Sequence, residues 1–583
     1  MLRKLKDFQK GFSQKHSEPE LFPDLAGQPA RKSRYDDNGT AEAQPLKVDD
    51  FFRPKTERYV GGFLGTVQFI FKKSPVKNFS GCFISALLLI IAFPRWELSL
   101  LAWVAFIPFM QVLDGGSWKR AFGLAYLTGV LFFAGTLYWF IHVTLPGAIL
   151  IVLYLAVYFG LFGMACVAFA RRRILEKLVF LPAAWVALEF LRAHLLTGFG
   201  WVSLGHSQYK HIGFIQMVDL TGVYGLSFLI MMVNVFFKEA VAIRLNQKDA
   251  ARRPQLMRAF AIIVAALVMS GIYGSYQLRK VGTPPSIRVG VVQGNIPQEY
   301  KWSPRFYKPI FNRYFLLSRA AAVEKPDLLI WPETAFPAYL WENPELFEEL
   351  KKFVAELRIP LLVGLVVREG ENYYNSAMLF SGHGEVLKRY DKLHLVPFGE
   401  YIPLRKLLPF LEAIVPIGDF KRGEGFTLFP ASAPIGDRDR VPMDFFNALI
   451  CFEDTVPELS RGFVRAGSHL FINITNDAWF QNTNAPFLHQ QAAIFRAIEN
   501  RRELIRAANT GVSCFINRLG QMTRYVQGRH QRQTYVSGYA VQKVYLNRGE
   551  TFYTKFGDIF TYLCFGVILG PVLRAGFRKI FPS

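Results

Sequence analysis

Cysteine is scarce in this sequence, and its pattern excludes two classes of small-domain scaffold. Five cysteines occur among 583 residues, an odd number with wide spacings: Cys82, Cys166, Cys451, Cys514 and Cys564. Such spacing excludes a disulfide framework and a clustered zinc site. We therefore expect neither a metal ion nor a cofactor.

Acidic residues are also in short supply. Asp and Glu number 45 against 68 Lys and Arg, which gives a formal net charge of +23. A surplus of this size is typical of nucleic-acid-binding proteins, but here the basic residues cluster at the ends of hydrophobic runs. That placement fits topology signals and attraction to anionic lipid headgroups. We therefore expect membrane lipid as a partner and no nucleic acid.

Long apolar segments, by contrast, are abundant. Hydrophobic residues make up 51% of the chain, in runs near 79–93, 97–113, 120–143, 147–170, 177–196, 213–239, 257–277 and 557–574. Most runs reach the roughly 20 residues that span a bilayer as a helix. The runs predict about eight transmembrane helices, the first two forming a short hairpin around Pro94-Arg95. Buried helices of a soluble protein are the alternative, but so many runs would leave too little polar surface.

Basic residues in short loops predict the orientation of these helices. Lys and Arg concentrate in alternate loops, at 119–120, 171–177 and 244–253, and in the tail at 574–579. These loops and both chain termini are therefore expected in the cytoplasm. The chain then leaves the membrane on the opposite side near residue 280.

Four regions follow from this division. Residues 1–77 are predicted to be a polar, mostly disordered cytoplasmic extension, 78–280 transmembrane helices 1–7, 281–550 an extracytoplasmic domain, and 551–583 the last transmembrane helix with a basic cytoplasmic tail. The extracytoplasmic region alternates short strand-like runs, such as 287–293 and 470–475, with helical stretches. This alternation indicates an α/β domain.

Three local patterns in the α/β region carry reactive side chains near predicted strand ends. They are Trp-Pro-Glu-Thr at 331–334, YDKLHLVPFGEY at 390–401 and Ile-Cys-Phe-Glu-Asp at 450–454. A thiol at a turn from strand to helix lies near free N–H groups, which favours the thiolate. A carboxylate can take a thiol proton, and a lysine can stabilise an oxyanion. Each residue alone has an ordinary structural interpretation, whereas the combination in this order is specific.

The order Glu, Lys, Cys in these contexts resembles the nitrilase superfamily, which implies an αββα sandwich. The string KLHLVPFGEYIP and the membrane-embedded layout resemble the apolipoprotein N-acyltransferase family over about residues 80–575. This resemblance implies Cys451 as nucleophile, Glu333 as general base and Lys392 as oxyanion stabiliser. Phe452 stands where some members have tyrosine, and the polar extension of about 75 residues is longer than the family leads us to expect.

The resemblance also implies a set of supporting residues. Glu400 matches a second essential carboxylate and Glu453 a further functional glutamate. Trp302 is expected near the entrance of the site, and Asn476, Asp477 and Trp479 close to its pocket. For the two tryptophans, ordinary aromatic packing is an equal alternative.

Two further segments attract attention. The loop 197–209 resembles the face of the membrane domain below the site. The segments 397–420 and 425–444 are rich in Pro and Gly, and we expect them to gate access to the site.

The function that the resemblance implies is the last step of lipoprotein maturation in the bacterial inner membrane. A ping-pong enzyme would move the sn-1 acyl chain of a phospholipid, with phosphatidylethanolamine the expected donor, onto Cys451 as a thioester. It would then pass the chain to the N-terminal amine of a diacylglyceryl-cysteine apolipoprotein, on the periplasmic face. A membrane-anchored amidase or nitrilase with the same three residues is one alternative, and a transporter or scaffold without catalysis is the other.

Overall fold

The computed structural model describes residues 75–245, 251–280, 282, 284–397, 399–401, 420–431 and 444–580. Most of the extension predicted at 1–77 and most of the predicted gating segments lie outside these residues. Within them, a set of apolar helices precedes and follows a layered α/β region.

The first helices coincide with the hydrophobic runs of the sequence. They are α1 Pro75–Ala92, α2 Ile107–Leu113, α3 Trp118–Thr136, α4 Leu145–Ala168, α5 Ile174–His194, α6 Val218–Leu245 and α7 Arg253–Arg279. Among the described residues, three spans are long and apolar enough to cross a membrane: Leu145–Ala168, Ile215–Arg244 and Arg253–Arg279. Shorter apolar helices accompany them at Asn78–Ala92, Ser99–Leu113 and Ile559–Gly570. A helical membrane region is thus supported, and the count of eight crossings stays a prediction.

One predicted helix is broken in the structure. The run at 97–113 forms a 3-10 turn, Ser99–Trp103, followed by α2. Asn234 on α6 satisfies the backbone at the break, because its Oδ1 accepts from Phe106 N at 2.9 Å and its Nδ2 donates to Ala102 O at 2.9 Å. In an apolar environment, backbone groups freed by a helix break need such internal partners.

Helices α3 and α4 pack closely because glycine lines their contact. A Cβ added to Gly163 would lie 2.6 Å from the carbonyl oxygen of Ala121, and one added to Gly129 would lie 2.8 Å from Cβ of Phe159. Small residues of this kind let helices in a bilayer approach backbone to backbone.

The described part of the α/β region forms two six-stranded sheets. Its strands are β1 Ser286–Gln293, β2 Leu328–Ile330, β3 Leu361–Glu369, β4 Asn372–Phe380, β5 Val386–Asp391, β6 Phe429–Pro430, β7 Phe445–Ile450, β8 Leu470–Thr475, β9 Glu503–Ala508, β10 Cys514–Ile516, β11 Met522–Tyr525 and β12 Gly538–Tyr545. The first sheet has the order β12-β1-β2-β3-β4-β5 and the second the order β11-β10-β9-β8-β7-β6. Strands β1, β2 and β3 run parallel, as do β7, β8 and β9, while the flanking pairs are antiparallel.

Helices cover the outer face of each sheet. They are α8 Tyr307–Ala322, α9 Pro344–Leu357, α10 Pro457–Arg465 and α11 Ala485–Asn500. Side chains of the first sheet alternate between the two faces, since Leu328 and Ile330 join the core shared with the second sheet and Leu329 packs with α8 and α9. The predicted αββα sandwich is therefore confirmed. After β12, α12 Phe552–Phe556 leads into α13 Ile559–Ile580, which packs against α5.

Polar contacts join the sandwich to the ends of the apolar helices. Nδ2 of Asn484 donates to Pro94 O at 3.0 Å, in the turn that follows α1. Nε2 of His194, the last residue of α5, lies 2.8 Å from Oε1 of Glu458 on α10. The sandwich thus rests on the helix ends beside the segment that carries Cys451.

Candidate active site

Three strand ends bring a carboxylate, an amine and a thiol together. Glu333 follows β2, Lys392 directly follows β5, and Cys451 directly follows β7 of the other sheet. Oε1 of Glu333 lies 4.0 Å from Nζ of Lys392, and both charges act on the Cys451 thiol. Residues 118 positions apart in the chain, from Glu333 to Cys451, thus share one site.

The Lys392 ammonium is fully enclosed and has a dedicated counter-ion. Its Nζ donates to Oε1 of Glu400 at 2.9 Å, and the side chain is 1% exposed. Burial alone would lower the pKa of Lys392, but the neighbouring negative charges, with Glu400 first among them, hold it above its ordinary value. Lys392 is therefore a permanent cation in the site.

Neutral donors hold the Glu333 carboxylate. Nδ2 of Asn375 donates to its Oε1 at 2.7 Å, and the backbone N–H of Asn476 donates to its Oε2 at 2.8 Å. The same Asn375 nitrogen lies 2.9 Å from Oε1 of Glu400, so that one amide bridges the two carboxylates. No motif in the sequence points to Asn375, although a polar residue in the middle of β4 is a usable signal.

Cys451 begins a 3-10 turn, Cys451–Thr455, with a φ of 54°. Burial raises the pKa of its thiol well above the ordinary value, the Glu333 carboxylate adds to that rise, and Lys392 opposes it. The turn was expected to favour a thiolate, and the structure reverses this expectation. Burial and a nearby carboxylate outweigh the five-residue turn, so the resting group is a thiol.

Glu453 links the ends of β5 and β7 through hydrogen bonds. Its Oε1 accepts from Leu393 N at 2.7 Å and His394 N at 3.0 Å, beyond β5, while its Oε2 accepts from Ile450 N at 2.7 Å, beside Cys451. The Tyr390 hydroxyl donates to the same carboxylate. Because these donors occupy both oxygens, Glu453 ties the lysine segment to the cysteine turn.

The other predicted residues divide into two groups. Asn476 reaches the site through its backbone contact with Glu333, and its Nδ2 donates to Oε1 of Gln298 at 2.8 Å. Trp302 stacks on Tyr339 with ring centroids 5.4 Å apart, and Trp479 is 53% exposed. Within the described part of the chain, neither tryptophan forms a hydrogen bond or a ring contact with Glu333, Lys392 or Cys451.

Lys301 is a second buried amine that sequence analysis missed. Its Nζ donates to the Glu333 carbonyl oxygen at 3.1 Å and to Oγ1 of Thr334 at 2.7 Å. Burial lowers the pKa of Lys301 to about 7, and the charge of Glu333 partly opposes that change. In the sequence, only the position of Lys301 directly before Trp302 indicates that it could lie near the site.

Aromatic rings of the helical region lie against the cysteine turn and against the turn that follows β8. Trp201, in the loop 197–209, stacks nearly parallel to Phe452 at 6.3 Å, and Trp139 meets Phe480 at 4.6 Å. A Cβ on Gly200 would lie 3.3 Å from Thr455 O. This loop therefore lies against the cysteine turn, as its resemblance implied.

The described residues contain no group of three or more His, Cys, Asp or Glu side chains that could hold a metal ion. All five cysteines are free, and Cys514 is fully buried in the sandwich.

Comparison with known proteins covers both parts of the molecule. A family model for the apolipoprotein N-acyltransferase N-terminal domain matches residues 85–236, and one for carbon-nitrogen hydrolase matches residues 288–543. An apolipoprotein N-acyltransferase of Geobacter metallireducens is 38% identical over 517 residues, which is 85% of this chain and 94% of that protein. One from Chlorobaculum tepidum is 29% identical and covers 85% of this chain and 96% of its own. Among solved structures, an amidase from Nesterenkonia sp. is 17% identical with a TM-score of 0.35 and covers 49% of this chain and 98% of that one.

Proposed function

The chain belongs to the apolipoprotein N-acyltransferase family, and from this premise we propose that it acylates lipoproteins through a thioester on Cys451. The donor in this proposal is the sn-1 acyl chain of a phospholipid, with phosphatidylethanolamine as the expected species. The acceptor is the N-terminal amine of a diacylglyceryl-cysteine apolipoprotein. The observation that carries the proposal is the meeting of Glu333, Lys392 and Cys451 in a sandwich that rests on apolar helices.

The first half-reaction forms the thioester. Glu333 takes the proton of Cys451, and the sulfur attacks the ester carbonyl carbon. The Lys392 ammonium stabilises the oxyanion of the tetrahedral intermediate. When the intermediate collapses, the glycerol oxygen leaves with the proton held by Glu333, and a lysophospholipid departs. The raised thiol pKa supports proton transfer during the attack rather than before it.

The second half-reaction forms the amide. The lipoprotein amine attacks the thioester carbonyl, again opposite Lys392, and Glu333 takes a proton from the amine. Collapse expels the cysteine sulfur, which recovers that proton. Transfer rather than hydrolysis requires water to be kept from the thioester, and the aromatic rings at the cysteine turn support that exclusion.

Supporting residues take distinct roles in this scheme. Glu400 keeps Lys392 charged, Glu453 sets the distance between the lysine and cysteine segments, and Asn476 orients Glu333. The exposed Trp302 and Trp479 are proposed to contact lipid at the entrance. The gating role of 397–420 and 425–444 belongs to the same proposal.

The proposed location is the inner membrane of a bacterium. In this proposal both termini lie in the cytoplasm and the 281–550 domain lies in the periplasm, which the distribution of basic loops supports. Both substrates are lipids of the outer leaflet, so a catalytic domain held at that surface avoids moving acyl chains through water.

Intact-mass spectrometry tests the proposal directly. The full-length protein in phosphatidylethanolamine nanodiscs is compared with Cys451→Ala and with Cys514→Ala, which removes a free thiol elsewhere in the sandwich. We expect an acyl adduct on wild type and on Cys514→Ala, and none on Cys451→Ala. A diacylated lipopeptide amine should clear the adduct rapidly. An adduct that water clears equally fast would favour the amidase or nitrilase alternative. If folded wild type forms no adduct, either phosphatidylethanolamine is not the acyl donor or Cys451 is not the nucleophile.

A further inference from the structure

A second ionisable cluster lies beneath the cysteine turn, and the reaction above does not use it. It comprises His489 on α11, Asp454 in the turn after β7, Asp477 after β8 and Arg506 on β9. Each of these side chains is at most 1% exposed. Four ionisable groups in so small a buried volume require an explanation.

The geometry identifies the charge on His489. Its Nδ1 lies 3.0 Å from Oδ1 of Asp477, and its Nε2 lies 2.8 Å from Oδ1 of Asp454. Ionised carboxylates only accept hydrogen bonds, and a neutral imidazole has a single N–H. Both contacts are satisfied at once by an imidazolium.

The charge count agrees with this assignment. Arg506 contacts Asp454 and lies 3.8 Å from Oδ2 of Asp477. One guanidinium against two carboxylates leaves a buried negative charge, and an imidazolium cancels it. Burial opposes the cation, but Asp454 and Asp477 outweigh burial and Arg506 and raise the pKa of His489 to about 9.

The cluster touches the proposed nucleophile through its backbone. Nε2 of His489 lies 3.2 Å from the Cys451 carbonyl oxygen, and Nδ2 of Asn473 donates to the same oxygen at 3.0 Å. The φ of 54° at Cys451 lies in the left-handed region, which is unfavourable for a residue with a side chain. Because the peptide group is planar, fixing this carbonyl also fixes the orientation of the following N–H of Phe452.

We propose that His489 is a positioning residue for acyl transfer: as an imidazolium held by Asp454 and Asp477, it fixes the Cys451 carbonyl and so keeps the thiol turned toward Glu333 and Lys392. The inference rests on the proposed function in that Cys451 is the nucleophile. Trp201 covers the imidazole, with ring centroids 5.3 Å apart and planes at 28°, and thereby shields the cluster from water. The loop 197–209, which carries Trp201, thus helps to hold the cysteine turn.

Two charge-balanced double variants test the proposal. His489→Gln with Asp477→Asn retains a donor at position 489 for the Cys451 carbonyl, whereas His489→Leu with Asp477→Asn leaves Asn473 as the side-chain donor to that oxygen. Both leave Asp454 paired with Arg506. In full-length protein in nanodiscs, we expect the Gln pair to form the thioester within about threefold of the wild-type rate. The Leu pair should be at least about tenfold slower at saturating phosphatidylethanolamine, with an unchanged half-saturating concentration. Equal rates for the two pairs would overturn the positioning role.

Alkylation of Cys451 by iodoacetamide separates this inference from the proposed function, because it needs no phospholipid. A wild type that is alkylated but never acylated would refute the proposed donor alone. The two double variants then still test the inference. We expect the Gln pair to be alkylated at the wild-type rate and the Leu pair at a rate that differs by about threefold or more. Identical alkylation rates would contradict the proposal.

Thermal unfolding from pH 6 to 10 tests the charge on His489 without any reaction. A pKa of about 9 in the folded state, against about 6.5 unfolded, gives stability that is complete below pH 6.5 and lost as the pH rises through 9. The charged groups that face His489 are Asp454, Asp477 and Arg506. The wild-type midpoint should therefore fall by about 3 °C more than that of the Gln pair. Parallel curves would overturn the imidazolium.

Discussion

Nζ of Lys392 lies 2.9 Å from Oε1 of Glu400 but 4.0 Å from Oε1 of Glu333. The lysine therefore has its own counter-ion, and Glu333 is held by neutral donors instead. The two carboxylates of the site thus have different partners. Glu400 pairs with a cation, and the neutral donors around Glu333 suit the proton transfer that we propose for it.

Replacing Glu400 by Gln should change the alkaline limb of the pH–rate profile. Burial lowers the pKa of Lys392, and the Glu400 charge is the main effect that raises it. Removing the Glu400 charge should therefore lower this pKa. The protonated, active form is then lost at lower pH. We expect thioester formation at pH 8 to fall at least about tenfold and its alkaline limb to move to lower pH. Glu424→Gln, on an exposed side chain, serves as the control. An unmoved alkaline limb would contradict the role of Glu400.

Replacing Glu333 by Gln should affect two reactions of Cys451 in opposite directions. The Glu333 charge raises the thiol pKa, so its removal lowers that pKa and increases the thiolate fraction at pH 8. Alkylation by iodoacetamide should therefore become faster. Thioester formation should fall by about a hundredfold or more, because no base takes the proton. Parallel loss of both reactions would indicate a structural role for Glu333 instead.

Replacing Asn375 by Ala removes the amide that bridges Glu333 and Glu400. The Glu333 carboxylate then loses one of the two donors that orient it, and the backbone N–H of Asn476 remains. We expect thioester formation at pH 7 to fall by about tenfold at saturating phospholipid. Asn372→Ala, at the exposed start of β4, is the matched control. A rate equal to that of the Asn372→Ala control would contradict the bridging role of Asn375.

Replacing Lys301 by Met should change how stability depends on pH. The pKa of Lys301 is about 7 in the folded protein and about 10.4 unfolded. Between these values the unfolded state binds more protons, so wild-type stability gains from rising pH. The Met variant lacks this gain and also loses donors to Glu333 and Thr334. We expect the unfolding midpoint of the Met variant to lie further below that of wild type at pH 10 than at pH 7. A constant difference would refute the lowered pKa.

Hydropathy located the helices well because apolar composition is a local property of the chain. It did not reveal the break between Ser99–Trp103 and α2, since that break depends on Asn234 from a distant helix. The strand pattern likewise predicted the α/β layers, but not which strands are neighbours. Pairing depends on contacts between segments far apart in the chain.

The sequence by itself determined the apolar helices, the α/β sandwich and the three residues at its strand ends, because each of these has a local pattern or a specific motif. Only the tertiary structure decided which groups surround them. Asn375, Lys301 and His489 carry no distinctive motif, and the fold alone brings them to Glu333 and Cys451. The sign of the Cys451 pKa shift changed for the same reason: the turn is local, whereas burial and the Glu333 charge arise only when distant segments pack together.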